Sequence, residues 1–227
     1  MKIGINEYGL VERFDSETVH IVLPDKNGGR PEYAGISDQI QLDWPMVSGD
    51  VIQCQMAQNP SKKSIYPLVV QTVSGLNGLD EKDATVRPMP RSNRHYAERI
   101  SPSKSFLDSL SQHDIALRMI EYRCPMAFGN SVVIAGPHGA GSTQLLMKIM
   151  SHFQSTHSAD HAIILCANGR SEEATEWRRL MPEAEVVVLP NAMMGGSAEE
   201  AVKVANLVFE CAKRQTELDR NVVLAID

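Results

Sequence analysis

The first 77 residues place apolar side chains in short, β-rich runs, whereas the chain from about residue 114 onward repeats them at helical and buried-strand spacing. Thr18 to Leu23 (TVHIVL), Asp50 to Met56 (DVIQCQM) and Ile65 to Val73 (IYPLVVQTV) are rich in β-branched residues, which suit a pleated surface. The turn-forming stretches PDKNGG and QNPSKK stand beside them. Together these runs predict a small antiparallel barrel. Gly49, in the SGD segment, fits the tight turn that launches a strand, because glycine takes φ > 0 at little cost.

The second half alternates between helix and strand. IALRMIEY reads as a helix, SVVIAG as a buried strand, STQLLMKIMSHF as a helix, HAIILCAN as a strand and SEEATEWRRLM as a helix. EVVVLP follows as a strand, SAEEAVKVANLVFECAKRQTEL as a long amphipathic helix and NVVLAID as a last apolar strand. Strands separated by helices pair in parallel and are covered on both faces, so an α/β unit is expected. The pattern divides the chain into a barrel over 1–78, a linker over 79–112 and an α/β domain over 113–227. The linker is polar and sets Arg87, Arg91, Arg94, Arg99 and Lys104 among Pro88, Pro90 and Pro102. Such a run is a solvated connector, with phosphate contact as the alternative.

Charge and cysteine usage narrow the functional classes. A formal net charge of −6 argues against a protein that coats nucleic acid by bulk electrostatics, so any RNA contact must be local. Cys54, Cys124, Cys166 and Cys211 are scattered singly, without a CxxC pair or a histidine at ligand spacing, which argues against zinc. The amino-acid sequence carries neither a signal-peptide pattern nor an apolar run long enough to span a bilayer, and a cytoplasmic protein with no membrane association is expected.

The strongest chemical motif runs Gly136, Pro137, His138, Gly139, Ala140, Gly141, Ser142, Thr143, between a predicted strand and a predicted helix. It is the G-x-x-x-x-G-K-[ST] phosphate loop with Ser142 where lysine belongs. The loop amides and the helix N-terminus can still cradle an anion, and Thr143 can still offer its hydroxyl to Mg²⁺. The ammonium that neutralises β- and γ-phosphate charge is lost. A tight strand-to-helix turn without a ligand is the competing reading. NVVLAID leads to Asp227, the shape of a strand whose terminal carboxylate orients Mg²⁺ through water. The chain stops on that residue, so the sheet is expected to be incomplete at its C-terminal end, and metal binding at Asp227 is left in doubt.

Three stretches, ISDQIQLDWPMVSGDVIQCQMA, VRPMPRSNRHYAER and DIALRMIEYRCPMAFGNSVVIAGPHGAGSTQLLMKI, together resemble the bacterial transcription termination factor Rho family. The resemblance continues through GRSEEATEWRRL to NVVLAID and covers most of the chain. It implies an OB-like β-barrel of the cold-shock type, followed by an α/β RecA-like P-loop domain with a parallel sheet. In that family the strand after the phosphate loop ends in an acidic D-E-R-P-E-E stretch whose glutamate polarises the attacking water. Here the same place reads Asn168, Gly169, Arg170, Ser171, Glu172, Glu173, and Gly169 has no side chain for that task. With Ser142 this makes two losses in one site, which imply a pseudo-ATPase with ATP and Mg²⁺ as the inherited ligands and no catalytic residue.

The family reads pyrimidine-rich single strands by stacking bases on aromatic side chains. The rings remaining here are His20, Tyr33 and Tyr66, with Arg30, Lys62 and Lys63 for phosphate, and a barrel-surface or half-buried role is the alternative for each. The resemblance thus implies weak, salt-sensitive binding of single-stranded RNA in transcription termination. A subunit that docks on genuine Rho, or on other copies of itself, and modulates termination is the alternative.

Overall fold

The computed structural model describes residues 5–13, 19–61, 64–86, 114–137, 139–156, 161–167 and 171–227. The N-terminal strands are β1 (Ile5–Arg13), β2 (Val19–Leu23), β3 (Glu32–Gly35), β4 (Val51–Gln58) and β5 (Leu68–Leu76), with helix α1 (Asp38–Asp43) between β3 and β4. They close a barrel in the order β1-β2-β3-β5-β4. Five strands in this OB-like order leave no open edge along the barrel wall. One pairing departs from the antiparallel barrel expected from the sequence, because β3 and β5 run parallel, Ala34 facing Leu68 and Gly35 facing Val69. Helix α1 allows this by carrying the chain across the barrel end, so that β4 can return and pair with β1 instead.

The barrel core is made by alternate residues, as a period of two requires. Val11, Val19, Ile21, Ala34, Ile52, Cys54, Met56 and Val70 point inward, and Trp44 and Met46 plug the end below α1. Trp44 is thus core, as its apolar surroundings in the sequence suggest. Strands β1 and β3 were not among the runs singled out from the sequence. Gly9 interrupts β1, and a Cβ there would lie 2.2 Å from Ile21 Cγ2, so the glycine is kept by the close approach of β2.

After helix α2 (Glu81–Val86), within the segment expected to be linker, the description resumes at helix α3 (Ile115–Arg123). It continues through α4 (Ser142–Thr156), β6 (His161–Cys166), α5 (Ser171–Leu180), β7 (Glu185–Val188), α6 (Ala198–Glu217) and β8 (Val222–Ile226). The three strands form a parallel sheet in the order β7-β6-β8. Its faces separate cleanly. Ile164, Cys166, Val188 and Ala225 pack with Met147, Met150 and Phe153 of α4 and Ala174 and Trp177 of α5. Ile163, Leu165 and Val187 pack with Val204, Leu207, Val208 and Cys211 of α6. Helix α6 starts on a capping box, Ser197 Oγ accepting from the Glu200 amide and Glu200 returning a bond to the Ser197 amide.

The predicted buried strand at SVVIAG does not form. Residues 131–136 belong to none of the described strands, and Val133 is 88% exposed. A strand is held by its ladder, and the three-stranded order supplies this segment with none.

Barrel and sheet share one core. Leu10 and Val22, on the outer face of the barrel, lie in the same buried cluster as Ile163, Leu165, Val187 and the α6 residues. The turn before β4 presses on α6, and the β2–β3 turn hydrogen-bonds to the loop after β7 and to α5, with the Asn191 amide donating to the Gly28 carbonyl at 2.9 Å and Arg178 of α5 donating to the Lys26 carbonyl at 2.7 Å. A buried polar chain crosses the same interface. Asp50 accepts from the Val47 amide (2.7 Å) and from Asn77 Nδ2 (2.7 Å), and Asn77 Oδ1 accepts from the Val51 amide (2.8 Å) and Gln215 Nε2 (3.3 Å).

No disulfide joins the four cysteines. Cys54, Cys166 and Cys211 are buried and Cys124 is exposed. Burial, and then the negative charge of Asp227, push the Cys166 thiol up to about 11, and burial raises that of Cys211 further. Since the thiolate is the nucleophile, an alkylating reagent at neutral pH should modify Cys124 alone in the native protein and all four residues in denaturant. Intact-mass measurement reads this directly, and rapid native labelling that peptide mapping places on Cys211 would show that the shared core opens.

Candidate functional site

Helix α4 begins where the glycine loop ends. The Ala140 amide bonds back to the Pro137 carbonyl at 3.0 Å, making a tight turn. Gly139 (φ +80) and Gly141 (φ +87) then take the left-handed conformation that glycine alone adopts without strain. A Cβ built on either would meet nothing within 4 Å, so the loop opens to its surroundings rather than packing against the protein. The first amides of a helix have no intrahelical partner, and their positive end points out of this opening. Ser142, in the lysine position, is exposed and offers a neutral hydroxyl. His138 lies outside the described residues, as do Asn168, Gly169 and Arg170.

Thr143 and Asp227, 84 positions apart in the sequence, meet at this site. Thr143 Oγ1 donates to Asp227 Oδ1 at 2.8 Å. The backbone of Asp227 extends the β6–β8 pairing, its amide donating to the Leu165 carbonyl at 3.0 Å and its carbonyl accepting from the Ala167 amide at 2.7 Å. The second carboxylate oxygen, Oδ2, accepts from the indole Nε1 of Trp177 at 3.0 Å. Trp177 was not singled out from the sequence; an indole on the apolar face of a helix reads as packing, and only the fold shows where its N–H points. Thr143 and Asp227 are the two oxygen donors that a magnesium ion would use here, and each side-chain oxygen of Asp227 holds one protein hydrogen bond and keeps a further lone pair for a metal-bound water. Among the described residues, no group of three or more His, Cys, Asp or Glu side chains could hold a metal.

The three candidate RNA rings also converge. The His20 ring centroid lies 5.3 Å from that of Tyr33, edge-on, and 5.6 Å from that of Tyr66. They come from β2, β3 and the turn before β5, which the barrel order sets side by side. His20 is only 3% exposed and bonds through Nε2 to Glu12 Oε2 at 2.8 Å, while Tyr33 and Tyr66 are half-buried. Helix α6 supplies Lys203, whose Nζ stands 5.5 Å from the Tyr33 ring centroid and 3.4 Å from Glu12 Oε2. Burial alone would raise the Glu12 carboxyl, but the bond to His20 and the charge of Lys203 outweigh it and hold the group below the usual range. Burial, and then the charges of Glu12 and Glu200, raise the Tyr33 hydroxyl. Arg30 is well exposed on the β2–β3 turn, 3.7 Å from Glu200. Lys62 and Lys63 lie outside the described residues, as does the basic stretch from 87 to 113. The exposed aromatic surface here consists of parts of Tyr33 and Tyr66, backed by a buried histidine. Lys203 could not be tied to it from sequence position.

A barrel of OB-like order joined to a helix-covered parallel sheet, with a glycine loop at the start of α4, defines a two-part class of protein, barrel and α/β unit. No protein-family model matches the chain. It is 32% identical over 225 residues to Transcription termination factor Rho 1 of Ehrlichia chaffeensis, an alignment that covers 96% of this chain and 51% of that protein. It is 29% identical over 181 residues to the Rho factor of Aquifex aeolicus, covering 79% of this chain and 40% of that protein. Against the Rho factor of Escherichia coli it is 32% identical over 117 residues, or 52% of this chain and 27% of that protein. The chain is a Rho-related protein, and it spans about half the length, or less, of these relatives. No helix among the described residues is long and apolar enough to cross a membrane.

Proposed function

We propose that the chain acts in transcription termination as a Rho-like protein that binds single-stranded RNA on its barrel, with a RecA-like P-loop unit that accepts ATP phosphates but does not hydrolyse them. The observation that carries this reading is the alignment to Rho factors along 96% of the chain. The partly exposed rings of Tyr33 and Tyr66, backed by His20 and beside Arg30 and Lys203, supply the stacking and cationic groups that single-strand binding uses. The open glycine loop supports anion binding, while Ser142 and Gly169 remove the lysine and the water-orienting carboxylate.

The test is filter binding with oligo-cytidine RNA at two salt concentrations, alongside ATP turnover with and without RNA. Weak binding that falls steeply with salt is expected, with no RNA-stimulated turnover. Tyr66→Ala should weaken binding about 5- to 150-fold, the equivalent of losing one stacked base at ~1–3 kcal/mol. Unchanged affinity in that variant would remove the barrel face from the proposal, and measurable RNA-dependent turnover would end the pseudo-ATPase reading.

A second reading is a subunit that docks on genuine Rho or on other copies of itself and modulates termination. The apolar side chains exposed on α3 and beside it, Ile115, Met119, Tyr122, Val132 and Val133, favour it. Native mass spectrometry of the chain mixed with full-length Rho would detect mixed assemblies, and their absence would count against docking.

A further inference from the structure

Helix α6 reaches the ring cluster of the barrel. It packs Val204, Leu207, Val208 and Cys211 against the sheet and against Leu10 and Val22 of the barrel. Glu200 stands one turn before Val204 in the same row, and Lys203 one turn before Leu207, so two charges continue the buried stripe at the rim of the junction. Both touch barrel residues. Lys203 Nζ lies 3.4 Å from Glu12 Oε2 of β1 and 5.5 Å from the centroid of the Tyr33 ring of β3. Glu200 Oε1 lies 3.7 Å from Arg30 Nε on the β2–β3 turn, while its Oε2 accepts from the Ser197 amide in the capping box. The Arg30 side chain is 74% exposed, and an exposed pair at that separation is worth less than about fivefold in affinity. The Lys203 side chain is 32% exposed, so its ammonium reaches solvent beside a Glu12 that is nearly covered.

We infer that single-stranded RNA lies across the junction of barrel and α/β unit, with Lys203 of α6 meeting a phosphate beside the Tyr33 ring and Glu200 competing with the RNA backbone for Arg30. This rests on the proposed single-strand binding by the barrel and adds α6 as a wall of that site. A nucleotide stacked on Tyr33 carries its phosphate toward the cation beside the ring, and that cation comes from α6. An ammonium has three N–H groups, so Lys203 can keep Glu12 while it meets a phosphate oxygen. Arg30 is drawn to two anions, because the Glu200 carboxylate and a phosphate seek the same guanidinium, and Glu200 also repels the backbone. Burial, and then the charges of Glu12 and Glu200, raise the Tyr33 hydroxyl, so the field of both carboxylates covers the stacking ring. Arg30 and Lys203 set against Glu12 and Glu200 give this face no net charge from the four side chains. Removing any one of them tips it.

Binding of oligo-cytidine RNA to the full chain over a range of salt concentrations tests this with substitutions of opposite expected sign. Lys203→Met, which keeps most of the apolar stem, should weaken binding about 3- to 10-fold at low salt, the size of one hydrogen bond. It should also lower the slope of log affinity against log salt by about 0.7, the share of one phosphate on a single strand. Lys203→Arg should restore both. A residue that only held Glu12 or Tyr33 in place would change the affinity and leave the slope alone. Glu200→Gln should tighten binding about 2- to 5-fold, because the amide still serves the capping box while the carboxylate charge is gone. That variant also decides the matter should Lys203→Met fail to fold. A wild-type slope in Lys203→Met, or unchanged or weaker binding by Glu200→Gln, would overturn the inference. The barrel reading would then stand without α6 if Tyr66→Ala still weakened binding. Absence of binding by the wild-type chain at low salt would end both.

Discussion

Trp177→Ala is expected to destabilise the α/β half by about 3–5 kcal/mol, the usual range for emptying a fully buried aromatic site. Trp177 is the largest side chain in the core with no exposed surface, and its neighbours there come from α4, α5 and β6. The cavity left behind would be lined by rigid elements on several sides and could collapse only in part. The same change deprives Asp227 Oδ2 of its donor. Since folded domains are stable by only about 5–15 kcal/mol, a loss of this size removes a large share of the total. Urea denaturation followed by far-ultraviolet circular dichroism would measure it. Trp177→Phe should lose less, about 1–3 kcal/mol, because a six-membered ring still fills most of the site and the fused pyrrole ring goes with its N–H bond to a charged group. Equal losses in the two variants would mean that the bond to Asp227 outweighs the packing.

Gly49→Ala is expected to cost about 2–5 kcal/mol and to loosen the barrel from α6. Gly49 has φ +89, where an alanine is strained by about 1–2 kcal/mol. Its added Cβ would lie 2.4 Å from the Glu210 carbonyl carbon and 2.7 Å from the Cys211 amide nitrogen, both backbone atoms in the middle of α6. A helix backbone cannot yield as a side-chain tip does, so overpacking adds about 1–3 kcal/mol. The barrel and the sheet share the cluster beside this contact, so their unfolding should change from one transition to two. Limited proteolysis would detect the separation as new cleavage between them. A single transition with wild-type midpoint would show that α6 can shift away from the turn without loss.

The order of elements was legible in the chain because the sequence period reports local geometry. TVHIVL, DVIQCQM, HAIILCAN, EVVVLP and NVVLAID all became strands within a few residues of their apolar runs, and the predicted helices formed as well. The glycine loop was recognisable because left-handed turns call for glycine at fixed spacing, and Gly139 and Gly141 have that conformation. Gly49 was marked for a turn by the same logic. What local period cannot report is which segments become neighbours. SVVIAG has the composition of a buried strand and pairs with nothing described, because strand formation depends on a partner ladder that no short run encodes. His20 and Tyr33 read in the sequence as rings of the barrel surface or half-buried, and only the fold sets His20 against Tyr33, Tyr66 and Glu12 and brings Lys203 of α6 onto Tyr33. Trp177 was not singled out from the sequence, and its burial in the core is a finding of the structure. Its hydrogen bond to Asp227 joins residues 50 positions apart, and such a bond is set by how α5 lies across β6 and β8, a property of the closed structure and not of either segment.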